Sequence, residues 1–155
     1  MTAPTYADLF TAEGLGASLS RLQALTPSSR AEWGKMGVAQ MLAHRNVAYE
    51  MLYEDKHPRP KATIRLLLRL FLKQKVVGPA PYPRSSPTAP QFKIADARDF
   101  SAERDRLVAY MRRMFAEGRP RFEGRESASF GPLTSGEWNV MFAKHLDHHL
   151  RQFGV

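Results

Sequence analysis

Apolar residues recur at helical spacing in five stretches of the chain, and no segment alternates like a strand for more than a few residues. In the first stretch, about Ala12 to Leu25, Leu15, Leu19 and Leu22 fall at i, i+4 and i+7. Gly14 and Gly16 weaken its start, and Thr26-Pro27-Ser28-Ser29 ends it. The second runs from about Gly37 to Tyr53. Its apolar residues wrap most of the circumference, which predicts a helix buried among others. The third, about Ala62 to Val76, crowds Ile64, Leu66, Leu67, Leu68, Leu70, Phe71 and Leu72 into nine positions. That exceeds what one core-facing stripe buries, so part of this surface is expected to meet a second subunit in a homodimer. Arg65, Arg69 and Lys73 recur every four residues on the same helix as a basic stripe.

A segment with five prolines between Pro79 and Pro90 follows, an extended loop by composition. Tyr82, Phe92 and Ile94 predict that it lies across the body of the protein. The fourth helix, about Ser101 to Ala116, presents Leu107, Val108, Met111, Met114 and Phe115, with Ser101 as the expected N-cap. The fifth opens at Thr134, where Thr134-Ser-Gly-Glu137 has capping-box spacing, and Gly154 is placed to stop it. The pattern predicts an all-α protein, a helical bundle forming one domain over residues 1–155.

Charge changes this picture only locally. The net charge is +8, yet nine Lys and Arg residues and no acid lie between Lys56 and Ile94, and the remaining 14 basic residues face all 15 acids. Such a patch attracts phosphate or an anionic membrane surface without reading sequence, and no recognition motif accompanies it, which argues against a nucleic-acid partner. Arg65, Arg69 and Lys73 are instead candidates for attracting an anionic substrate, beside the plainer reading of a solvated face. The absence of cysteine excludes disulfides, thiolate ligands and a protein-borne thiol nucleophile. No apolar run is long enough to span a membrane. The first eight residues lack a basic segment followed by an apolar run, so no signal peptide is expected and a cytoplasmic location is predicted.

The candidate chemistry is imidazole. His145, His148 and His149 lie in the last helix, and His44 lies about a hundred residues upstream. With Trp138 at zero and about 100° per residue, His145 and His149 fall within about 20° of it, among Phe142, Leu146 and Phe153. His148 falls at the border, a candidate for the rim, while Lys144, Asp147 and Arg151 fall on the far side. Trp138 is expected to pack against Phe142, and Trp33 to anchor the start of the second helix. His44 lies on an apolar surface between Met41, Val47, Ala48 and Met51. Two histidines one turn apart plus one from a facing helix make an open three-nitrogen site, the catalytic rather than the structural pattern. Taken singly, His44 reads as a hydrogen-bonded core residue, the H-x-x-x-H pair as a weak signal, and His57 as an ordinary loop residue.

The segment Trp33-Gly-Lys-Met-Gly-Val-Ala-Gln-Met-Leu-Ala-His44 resembles the tryptophan-then-histidine signature of the DinB/YfiT-like superfamily, and His145-Leu-Asp-His-His149 resembles its H-x-x-x-H. The tail from Phe130 to Gly154 is similar to one branch, domain of unknown function 1569. The resemblance implies a DinB-like four-helix bundle, here with an extra short helix and the long proline-rich loop. It also implies a divalent metal, zinc or nickel, held by His44, His145 and His149, with His148 beside them. Relatives so implied are thiol-dependent transferases and isomerases that use small thiols such as bacillithiol. A metal-dependent transferase or hydrolase acting on a small molecule, with a low-molecular-weight thiol as cosubstrate, is therefore expected. A non-catalytic metal-binding or self-associating bundle is the first alternative. A basic nucleic-acid or membrane-surface binder is the second.

Overall fold

The structure, a computed structural model, describes residues 5–155; Met1–Pro4, part of the segment read for a signal peptide, lie outside the described residues. Six α-helices occur among them: α1 (Ala12–Gln23), α2 (Val38–Tyr53), α3 (Ala62–Phe71), α4 (Lys73–Val77), α5 (Phe100–Phe122) and α6 (Ser135–Gln152). The four longest, α1, α2, α5 and α6, bury one contiguous apolar cluster, and α2 packs most extensively on α5. Leu22, Met41, Leu42, Tyr49, Leu107, Met114, Phe122 and Leu150 at its centre are fully buried. No helix among the described residues is long and apolar enough to cross a membrane.

An all-helical chain was the expectation, and a small sheet corrects it. Strands β1 (Arg125–Ser127) and β2 (Gly131–Leu133) form an antiparallel pair between α5 and α6. Three residues per strand are too few to display alternation in sequence. Gly124 turns the chain from α5 into β1 and Gly131 closes the loop between the strands, both with left-handed φ.

Three helix boundaries also moved. The N-cap of α5 is Asp99, whose carboxylate accepts from the amide of Ala102 at 2.7 Å, and not Ser101. An ionised carboxylate at the positive end of a helix is the better acceptor. Beyond Ala116, α5 breaks at Gly118 (φ 71°, ψ 168°) and makes one more turn through Pro120. The third apolar stretch divides at Leu72, where φ opens to −111°; α4 then turns inward and buries Val77.

The two ends of α6 follow the expectation. Thr134 Oγ1 accepts from the Glu137 amide at 3.1 Å, and the Glu137 carboxylate accepts from the Thr134 amide at 3.0 Å. At the other end Gly154 adopts φ 75°, with Gly154 N–H on Arg151 O and Val155 N–H on Leu150 O, a Schellman arrangement. Trp138 stacks on Phe142 at 5.8 Å between ring centres and donates its indole N–H to Arg125 O. Asn139 holds the N-terminal segment onto α6, accepting from Leu9 N–H and donating to Ala7 O.

The position of Lys144 corrects the helical-wheel expectation. Expected on the solvated side of α6, it is 1% exposed. Its ammonium donates to the carbonyls of Lys75 (2.9 Å), Gly78 (2.5 Å) and Ala80 (3.1 Å), where α4 passes into the proline-rich loop. Burial lowers its pKa to about 8, so at neutral pH it still carries the three protons these carbonyls accept. The wheel treated α6 as having one apolar face, whereas the returning loop covers a second.

Candidate metal centre

His44 from the middle of α2 meets His145 and His149 from the last two turns of α6. The three rings form a nearly equilateral triangle, with centre-to-centre distances of 5.0 Å (44 to 145), 4.7 Å (44 to 149) and 4.9 Å (145 to 149). One nitrogen of each can be chosen so that all three lie within 4.8 Å of one another, the spacing of a group that could hold a metal ion. His148 is not in this triad. It is half-buried, its ring 5.0 Å from that of His149, 5.9 Å from Trp33 and 5.7 Å from Tyr82.

The hydrogen bonds behind the triad decide which nitrogens face inward. His44 Nδ1 donates to the carbonyl of Phe92 at 2.9 Å, which leaves Nε2 as its free lone pair. His149 Nδ1 donates to Gln152 Oε1 at 2.8 Å, and Gln152 Nε2 donates to Trp33 O at 2.7 Å. That second bond fixes the orientation of the amide and, through it, the tautomer of His149. Gly34, with φ 83°, lets the backbone after Trp33 pass against Gln152; a Cβ there would stand 2.7 Å from Nε2. His44 Nε2 then points at His145 Nε2 across 2.9 Å. With its proton on Nε2, neutral His145 donates an ordinary hydrogen bond to His44; with the proton on Nδ1, the two facing lone pairs call for a shared cation. Nitrogens bound to one tetrahedral zinc lie about 3.3 Å apart, so the separation is near that of a common ion.

Burial sets the charge state. It pushes His44 down to about 4 and holds His145 and His149 well below the usual imidazole range, so all three are neutral at pH 7. Arg45, fully buried beside them, adds to each depression. Its guanidinium makes one bond, to Phe142 O at 3.2 Å, while Nε and Nη1 have no partner and no carboxylate pairs with it among the described residues. Sequence reading missed Arg45 because it follows His44 directly, on a helix with no polar face to mark it.

The proline-rich segment lies across the body, as its aromatic residues led us to expect, and there it covers the triad. Phe92 packs on His44 (5.4 Å) and His145 (6.1 Å), and Tyr82 meets His145 edge-on at 6.2 Å. Outside this cover lies a surface cavity of about 430 Å3, lined by Trp33, Tyr82, Arg84, Lys144, His148 and Arg151 among others, and by none of the triad. Arg84 stacks over Trp33 at 4.4 Å. Trp33, expected to anchor the start of α2, thus also sits at the C-terminal end of α6.

The basic stripe is not brought to the triad. Arg65 pairs with Glu126 at 3.1 Å and Lys73 with Glu137 at 2.8 Å, against the hairpin and the first turn of α6. Arg69 lies beside Gly131. Acids from elsewhere in the chain neutralise part of what looked in sequence like an unbroken basic segment. His57 is more than a loop residue, since it pairs at 2.7 Å with the buried Glu50, which also binds Arg106. Seven residues separate His57 from Glu50, across the end of a helix, so no sequence spacing announces the pair.

The chain matches, over residues 7–154, the family described as "Protein of unknown function (DUF1569)", and it belongs to that family. Comparisons with curated proteins and with solved structures each gave no match.

Proposed function

We propose that this is a DinB-like metal protein in which His44, His145 and His149 hold one divalent ion, zinc or nickel, at an open site. The observation that carries the reading is the convergence of three neutral imidazoles, two with their far nitrogens already committed to Phe92 O and Gln152 Oε1. Buried histidines kept only for packing have no need to gather their lone pairs. When bound, such an ion supplies Lewis acidity to a small molecule or water at its free coordination position.

The further reading is a thiol-dependent transferase or hydrolase. A chain without cysteine takes any sulfur nucleophile from a cosubstrate. Arg45 supports an anionic reactant, because its buried charge lacks a carboxylate and three neutral rings do not offset it. Tyr82 and Phe92 exclude water from the triad, and His148 stands between it and the outer cavity, placed to pass a proton. A non-catalytic metal-binding role is the second reading, favoured by the cover over the triad and its separation from that cavity.

Elemental analysis of protein purified without an affinity tag tests the metal reading. We expect about one ion per wild-type chain and none in a His145→Ala, His149→Ala double variant, from one ligand set per chain. A chelator-treated wild type that takes up no ion would sink it. Turnover of an electrophile with added thiols by loaded protein, absent in the double variant, separates the two readings.

A further inference from the structure

Among the described residues nothing covers the outer face of α3. Ile64 is 47% exposed, Leu66 56%, Leu67 51%, Leu70 66%, Phe71 73% and the adjoining Leu72 39%. No residue of α3 is buried. The helix is held to the body by its other side, through Arg65 on Glu126, Lys73 on Glu137 and the partly buried Leu68. Its polar edge thus faces inward and its apolar face outward, the reverse of a surface helix in a monomer.

We propose that this face pairs with the same face of a second copy of the chain. The six side chains expose on the order of 700 Å2, above the largest apolar patch of a typical monomer at about 300–600 Å2. With a rim around it, the patch reaches the roughly 800 Å2 per partner of a stable interface. The area favours a second copy, and the charge around the patch fits one. Arg65 and Lys73 are already paired, and Glu126, its side chain 57% exposed, puts negative charge among the exposed Lys61, Arg69 and Lys75. A rim of both signs matches a two-fold copy of itself. This inference does not depend on the metal reading.

Sedimentation of the wild type between 1 and 100 μM, concentrations chosen around common dimer affinities, should give twice the 17.6 kDa chain mass. A Leu70→Glu, Phe71→Glu variant should sediment as a folded monomer, its dissociation constant raised at least about a hundredfold. Because the chain has no cysteine, an added one reports alone. Leu67→Cys should yield an oxidised, covalent dimer, whereas Glu13→Cys on α1 should not, which keeps the test decisive if the double variant fails to fold. A wild type monomeric at 100 μM, whether or not it binds vesicles rich in phosphatidylserine, would overturn the proposal.

Discussion

The triad region and α3 break the inside-outside rule in opposite directions. Around α6 the protein buries His44, Arg45, Lys144 and His149; along α3 it exposes Leu66, Leu70 and Phe71. Most of the buried polar groups have partners within the chain. Lys144 has three carbonyls, His44 the Phe92 carbonyl, and His149 the amide of Gln152. Buried polar groups cost little when paired and much when orphaned. Among the described residues Arg45 Nε and Nη1, Trp33 Nε1, Asn46 Oδ1 and the Tyr49 hydroxyl have no partner, and the inward nitrogens of His44 and His145 face each other at 2.9 Å. On α3 the imbalance is apolar. We propose that an ion completes the first region and a second copy of the chain the other.

The largest way to break that contrast is to remove the triad. His145→Ala with His149→Ala should abolish metal uptake altogether while leaving sedimentation on the wild-type curve. A parallel loss of dimer would show that the two regions are coupled.

Next is the lysine under the loop. Lys144→Met leaves three carbonyls unpaired, that of the buried Gly78 among them, and should lower stability by about 1–3 kcal/mol, read from denaturant midpoints. Hydrogen exchange of the amides near Val77 and Gly78 should rise with it, because the loop loses its anchor.

Smaller still is the support behind the ligands. Gln152→Leu removes the acceptor that fixes His149 and should weaken metal affinity about 10–100-fold with the fold intact. Competition against a chromophoric chelator measures it, and an unchanged affinity would assign Gln152 to packing.

Acid provides a graded test on the metal-free protein. His44 titrates near 4 when folded and near 6.5 when unfolded, and burial depresses His145 and His149 in the same direction. The unfolded chain therefore binds more protons below about pH 6.5, and stability must fall as pH drops from there through the folded values. Melting temperatures from pH 7 to 4 should show that decline, shallower in the double alanine variant. Least affected is the rim: Arg65→Ala should change monomer stability by no more than about 0.5–1 kcal/mol, because a partly exposed ion pair contributes little.

Much of this was legible from the chain alone. The i, i+4 spacing put His145 and His149 on one apolar face, because a helix converts spacing into direction without help from the rest of the fold, but it was the resemblance of two segments to a known family that joined His44 to them. The Thr134–Glu137 box, the Gly154 stop and the excess of apolar residues from Ile64 to Leu72 were equally local. The position of Lys144 was not legible, since the groups that enclose it lie more than sixty residues away on a loop without regular structure. Nor was the tautomer of His149, which depends on a glycine turn at Gly34 and a carbonyl at Trp33.

The existence of the main helices, the caps of α6 and the shared face of His145 and His149 are properties of short stretches, and sequence alone determined them. Tertiary structure decided which way α3 faces, what covers the imidazoles and where the cations find partners. Those outcomes turn on contacts between remote segments, and periodicity carries no information about which remote segment returns to which face.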